Sequence, residues 1–278
     1  MQNLQKRPAH ALKTRVRVLL SLALLLMAAS LLAPYLTPND PNATNSAAIY
    51  AAPSAQYPFG TDQLGRCVLS RVLMGARTSI FSAVALVVIS FVVGTALGVL
   101  CGYYGGVLDN LVMRLADILL AVPQMVLAIA VAGVLGGGLL NAMLALGVTS
   151  WTLYARLARS HTMTMKAEPF IAAAKLGGCG DFAILLRHIF PNIMGPLVVN
   201  AATQLGTTMI GIAGLSFLGL GVVPPNAEWG SMINEARSYI QLAPWAVLAP
   251  AGATVLTVMI FNYLGDAVRD LADGSGVT

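Results

Sequence analysis

Charge is what this sequence has least of. Lys, Arg, Asp and Glu make up 10% of its residues, against about 25% in an ordinary soluble domain. Hydrophobic residues make up 57%, and mean hydropathy is +0.77. Such a chain cannot cover a water-soluble globule with polar side chains, so it reads as an all-α integral membrane protein. Cysteine and histidine are scarce too, with three of each. Cys67, Cys101 and Cys179 have neither paired nor metal-type spacing, which excludes a disulfide framework. His161, Met163 and Met165 alternate, and alternate residues do not share a helix face, so no metal site is expected there. No phosphate-binding GxxxxGK(S/T) occurs, so any ATP must be hydrolysed by a partner.

What is present is a series of apolar runs. A basic arm, 1–15 with Arg17 just beyond, precedes a first transmembrane helix over 16–36. Its core, Val16–Ala33, reaches the roughly 17–25 residues needed to span a bilayer and is too long for the core of a cleaved signal peptide. Residues 37–78, rich in Pro, Asn and Ser, read as a periplasmic loop. Within them Phe59–Arg77 places Leu64, Val68, Leu69, Val72 and Leu73 at helical spacing, which predicts an interfacial helix along the membrane surface. Residues 79–278 hold five further spans, Ser79–Tyr103, Ala116–Leu135, Leu139–Leu157, Ile193–Leu215 and Ala243–Leu264. A cytoplasmic loop over 160–192 and a periplasmic loop over 216–240 connect them. Gly94, Gly98 and Gly102 recur every four residues on the second span, a spacing that admits close approach of another helix.

The few charges orient the chain. Six transmembrane helices place both termini on one side. With the N and C termini cytoplasmic, the inner Lys and Arg are five in the arm region, Arg114, five between Arg156 and Arg187, and Arg269. That is twelve of the sixteen, as the positive-inside rule requires. The net charge of +5 therefore reflects topology, and no nucleic acid is expected as a partner. No span carries an ionisable residue at its centre and no internal repeat is visible, features that a secondary transporter or channel would be expected to show; that class is the alternative reading. A membrane enzyme would need His, Asp, Glu or Cys clustered at a common depth, and none is seen.

Glu168–Asn192 is a long stretch that could not sit in lipid. Pro169 suits the first turn of a helix, and Glu168 puts negative charge at the positive end of its dipole. Phe170–Leu176 then makes a short helix, Gly177, Gly178 and Gly180 turn the chain, and Asp181 opens a second short helix that Pro191 is expected to stop.

With Ala172-Ala173-Ala174, Gly178 and Ile189-Phe190-Pro191, this cytoplasmic stretch resembles the EAA loop of ATP-binding-cassette importer permeases. GTDQLGR at 60–66, SFLGLG at 216–221, PPNAEWGSMINEAR at 224–237 and NYLGDAVRD at 262–270 extend the match. The chain is similar to the second permease subunit of the dipeptide, oligopeptide and nickel importer family. It departs from that pattern at Ala172, where the loop usually carries glutamate, and at Cys67, where aspartate usually follows GTDxxGR.

The resemblance implies a type I permease fold of ABC importers in a bacterial inner membrane. It implies a homologous permease partner, two ATP-binding subunits that hold ATP and Mg, and a periplasmic or lipid-anchored substrate-binding protein. Short peptides or nickel and other metal chelates are the implied substrates, and the chain itself holds no cofactor. The loop would dock into a groove on an ATPase subunit. Phe170, Ala173, Ala174 and Gly177, at i, i+3, i+4 and i+7, form the expected docking face, flanked by Glu168 and Gly178.

On the fifth span Asn200, Thr203, Gln204, Thr207, Thr208 and Gly211 recur at helical spacing. Polar side chains in hydrocarbon are costly, so the stripe should face protein or a water-filled cavity. It either lines the translocation pathway with Gln124 of the third span or forms hydrogen bonds between helices. The external loop around Glu228 and Trp229 either faces the binding protein, caps the pathway, or is purely structural.

Overall fold

The computed structural model describes residues 9–275, among which the only β-pairing is an isolated antiparallel bridge between Thr61 and Cys67. Lys6 and Arg7 of the basic arm lie outside the described residues. The principal helices are α1 (Ala9–Leu31), α2 (Val68–Tyr104), α3 (Gly106–Leu120), α4 (Gln124–Leu135), α5 (Leu139–Lys166), α6 (Pro169–Leu176), α7 (Asp181–Phe217), α8 (Trp229–Ala236) and α9 (Pro244–Ser275). Four helical stretches, Leu12–Leu31, Val68–Tyr104, Asp181–Phe217 and Pro244–Leu271, are long and apolar enough to cross a membrane. The number is five if the bent α3–α4 pair counts as one.

α2 is the longest axis of the bundle and corrects the first expectation. It runs unbroken for 37 residues, about 55 Å at 1.5 Å per residue, well beyond a hydrocarbon thickness of about 30 Å. The surface helix expected over Phe59–Arg77 is therefore not separate. From Val68 onward those residues are the opening turns of α2, collinear with the span. Their apolar spacing serves packing rather than lipid: Val68 and Val72 are buried in one core with Trp229, Met232 and Ala236 of α8.

The glycine repeat on α2 meets α5. A Cβ on Gly94 would stand 2.3 Å from the Trp151 carbonyl oxygen, on Gly98 2.2 Å from that of Ala155, and on Gly102 2.7 Å from that of Arg159. Each four-residue step on one helix is matched by four on the other, so the two backbones run together along a seam. Ala155 and Ala158 of α5 are fully buried in it. Buried Thr149, Thr152 and Thr162 explain why α5 is less apolar than its neighbours: protein rather than lipid surrounds them.

Two further expectations are corrected by proline. The third span, read as continuous over Ala116–Leu135, is broken between α3 and α4, whose axes differ by 90°. Pro123 lacks a donor N–H and disfavours helix at Val122, and it caps α4 in an extended conformation. Pro191, by contrast, does not stop a helix. α7 passes it because Leu185–Ile189 forms a widened turn in which the Phe190 N–H reaches back to Leu185 O. The slack of that turn absorbs the proline ring and its missing hydrogen bond.

At the far end α9 continues past Leu264 through the polar tail to Ser275. Arg15 of α1 pairs with Asp270 of α9 at 3.4 Å. A second, smaller core gathers Val99, Tyr103, Ile171, Ile184, Ile189 and Ile193 where α2, α6 and α7 meet.

Candidate functional site

A cavity of about 320 Å³ opens where α2, the α3–α4 elbow, α5 and α7 converge. Gln124 comes from the elbow, Ser90 from α2, Ser150 and Tyr154 from α5, and Gln204 and Thr207 from α7. The Gln124 amide donates to Ser150 Oγ at 3.3 Å, and Ser150 Oγ in turn donates to Leu146 O at 2.7 Å. The hydroxyls of Ser90 and Tyr154 are buried without a partner. Among the described residues lining it, none is charged. Such a wall can offer hydrogen bonds to polar groups, but gives no countercharge to a desolvated ion.

The polar stripe of the fifth span divides. Gln204, Thr207, Thr208 and Gly211 face the cavity together with Gln124. Thr203 turns to α9, where a Cβ added to Gly265 would lie 2.7 Å from its Cγ2, and its hydroxyl donates to Asn200 O at 2.8 Å. Asn200 Oδ1 is buried and unpartnered, away from the cavity lining. The stripe thus splits between the cavity and the α9 side of one helix, and neither Thr203 nor Asn200 bonds to another helix through its side chain. The contributions of α2 and α5 were not anticipated, although Thr149-Ser150-Trp151-Thr152 in an otherwise apolar run was the available signal.

At the other end of α7 lies the loop. Glu168 caps α6 without a side-chain hydrogen bond, and Pro169 sits in its first turn. Ile171 is buried and Ala174 half-buried, both packed on the core around Ile184 and Ile189. Ala173 and Gly177 are exposed. Phe170, also exposed, lies 6.4 Å from the His188 ring. Gly178 takes φ +83°, the left-handed backbone that turns the chain toward α7. Of the expected docking face, Ala174 is therefore partly occupied by the protein itself. Within this loop the most exposed apolar side chains are two that the sequence did not single out, Leu176 at 91% and Phe182 at 74%.

Glu228 and Trp229 are both buried, Glu228 completely, so neither presents itself to an external partner. Glu228 Oε1 and Oε2 accept from the N–H groups of Gly230 and Ser231 at 3.0 and 2.9 Å, which caps α8, and Ser79 Oγ donates to Oε1 at 3.1 Å. Trp229 Nε1 donates to Val72 O at 2.9 Å. Beside them Arg66 is held at 2.6 Å by both Asp62 and Glu235, and Arg71 donates to Pro225 O at 3.1 Å. This network straps the 37–67 loop and α8 onto α2.

Cys67 and Cys101 are buried, Cys179 is exposed, and all three are free. Among the described residues no group of three or more His, Cys, Asp or Glu is placed to hold a metal ion.

Long apolar helices around an uncharged cavity of mixed apolar and hydroxyl or amide lining, with an exposed helical elbow at one end, define a multi-pass membrane protein. The family described as "Binding-protein-dependent transport system inner membrane component" matches residues 94–274, and the chain belongs to that family. It is 42% identical over 251 residues to the glutathione transport system permease protein GsiD of Pectobacterium atrosepticum, covering 90% of this chain and 83% of the relative. It is 40% identical over 244 residues to the dipeptide transport system permease protein DppC of Alkalihalophilus pseudofirmus, covering 88% and 80%. With GsiD of Escherichia coli O6:K15:H31 the identity is 43% over 267 residues, covering 96% and 87%. The chain is thus a transmembrane permease subunit of an ATP-binding-cassette transport system, and not itself an enzyme.

Proposed function

We infer that this subunit pairs with a homologous permease to form the pathway of an ATP-driven importer in a bacterial inner membrane. It crosses six times, α5 supplying the crossing that its buried threonines hide from hydropathy, and both termini are cytoplasmic. Two ATP-binding subunits hold ATP and Mg and engage the α6–α7 elbow, and a periplasmic or lipid-anchored binding protein delivers the solute.

One observation carries this reading. α7 runs from exposed Phe182 at the elbow to Gln204 and Thr207 in the cavity wall, so one helical segment connects the elbow to the wall. Short peptides are the substrate class supported best. The relatives above are named for glutathione and dipeptide transport, and Gln124, Gln204 and Thr207 on the lining can hydrogen-bond a peptide amide.

Reconstitution with the partner permease, the two ATPases and the binding protein tests this, with labelled dipeptide and nickel uptake measured side by side. ATP-dependent dipeptide uptake is expected. Uptake of nickel alone would move the substrate class to metal chelates, and uptake that needs no ATP would return the chain to the channel class.

A further inference from the structure

Tyr103, one residue before the end of α2, is buried at 3% exposure, and three other helices converge on it. Its hydroxyl donates to Oδ1 of Asp181, the first residue of α7, at 2.5 Å. Its carbonyl oxygen accepts a hydrogen bond from Nζ of Lys166, the last residue of α5, at 2.5 Å. The ammonium groups of Lys166 and of Lys175 on α6 each lie 5.3 Å from the centre of its ring.

α6 needs such ties. Eight residues are too few for a helix to be stable alone in water, and Ile171 is its only fully buried side chain. A carboxylate acceptor makes the Tyr103–Asp181 bond stronger than a neutral one, and the Lys175 contact adds attraction to the ring face. The ion pairs that join α5 to α3, Arg159 with Asp109 and Arg156 with Asp117, do not touch α6. Of the four helices around Tyr103, α2, α5 and α7 also line the cavity.

We propose that Tyr103 is the positioning residue through which movement of α6 is passed to α2, α5 and α7 around the cavity. The proposal rests on the reading of the α6–α7 elbow as the ATPase-engaging element. Its Asp181 bond ties the start of α7 to the end of α2, and its ring, facing Lys175, holds α6 against the same end.

The test uses the full reconstituted complex and Tyr103→Phe, which keeps the ring and deletes only the hydroxyl. Expected are normal membrane assembly, wild-type basal ATP hydrolysis and about a tenfold loss of solute imported per ATP, the factor corresponding to one lost charge-assisted bond. Asp181→Asn with Tyr103 intact, which retains an acceptor oxygen, should keep most of the wild-type ratio. Adding Asp181→Ala to Tyr103→Phe should cost little more than Tyr103→Phe alone, since the pair acts as one unit. Hydrogen exchange on the permease supplies a second readout that needs no partner: Tyr103→Phe should raise exchange over 184–189, at the start of α7, and leave the middle of α2 unchanged.

An unchanged import-to-ATP ratio, or unchanged exchange over 184–189, overturns the role of Tyr103. So does loss of assembly in Tyr103→Phe, which would make the residue merely structural. If the wild-type complex imports nothing in response to ATP, the functional reading itself falls and takes this proposal with it.

Discussion

Gly98 lies so close to Ala155 that a side chain at Gly98 would place its Cβ 2.2 Å from the Ala155 carbonyl oxygen. The obstacle is backbone, which cannot rotate away. Gly98→Ala is expected to force α2 and α5 apart at a cost of about 1–3 kcal/mol, the range for overpacking, read as a lowered Tm in detergent. Gly133→Ala, where nothing lies within 4 Å, should leave Tm unchanged or slightly raised. Equal effects of the two would remove the seam as the reason for the glycine repeat.

Removing Glu235 should be costly out of proportion to its size. Its carboxylate is one of two holding buried Arg66 and also approaches Arg71 at 3.9 Å. Glu235→Ala leaves buried guanidinium charge under-compensated, which costs about 3–5 kcal/mol. Limited proteolysis should then open the 37–67 loop before any other segment, and resistance equal to wild type would show that the strap is not needed.

Glu228→Ala is expected to act on stability and not on recognition. It deletes the cap of α8, worth about 0.5–2 kcal/mol, so Tm falls. At temperatures where the variant is folded, affinity for the substrate-binding protein should match wild type. A changed affinity with unchanged Tm would restore the reading of this loop as a docking surface.

Leu176→Glu and Phe182→Glu replace side chains that protrude into solvent, so the isolated permease should lose no more than about 0.5 kcal/mol. Copurification of the ATPase subunits should fall by about tenfold or more, as for a truncated hot-spot anchor. A bulky residue at Ala173 or Gly177 should instead leave insertion intact and uncouple ATP hydrolysis from uptake. Retained copurification and normal uptake in all of these would move the ATPase contact elsewhere.

Gln204→Leu should lower uptake with little change in stability, because Gln204 faces the cavity. Thr203→Val should do the reverse, since Thr203 packs on α9 at Gly265. Uptake assays and thermal unfolding of the two variants separate the roles.

Much of the architecture was legible because lipid imposes simple rules on sequence. Apolar runs, the clustering of Lys and Arg, and the Gly94-Gly98-Gly102 spacing each have one dominant physical cause. The elbow's short helix and its glycine turn were legible too, as Pro169 has its φ fixed near the helical value and Gly178 admits the left-handed backbone that other residues avoid. Proline was read less well. Pro123 breaks a run that hydropathy treats as continuous, while Pro191 is passed by a widened turn, and the difference lies in whether the preceding residues have room to change register.

What the sequence by itself determined is a helical membrane subunit of a transport family, with a polar elbow and a polar stripe on its fifth apolar run. Only the tertiary structure decided which side of each element is used. It turned Glu228 and Trp229 inward, assigned Gln204 to the cavity and Thr203 to α9, and made Leu176 and Phe182 the protruding apolar pair. Helical spacing assigns residues to a common face, but burial depends on which neighbour occupies the space opposite. In this chain those neighbours, Tyr103 beside Asp181 and Gly98 beside Ala155, are brought together from positions 78 and 57 residues apart.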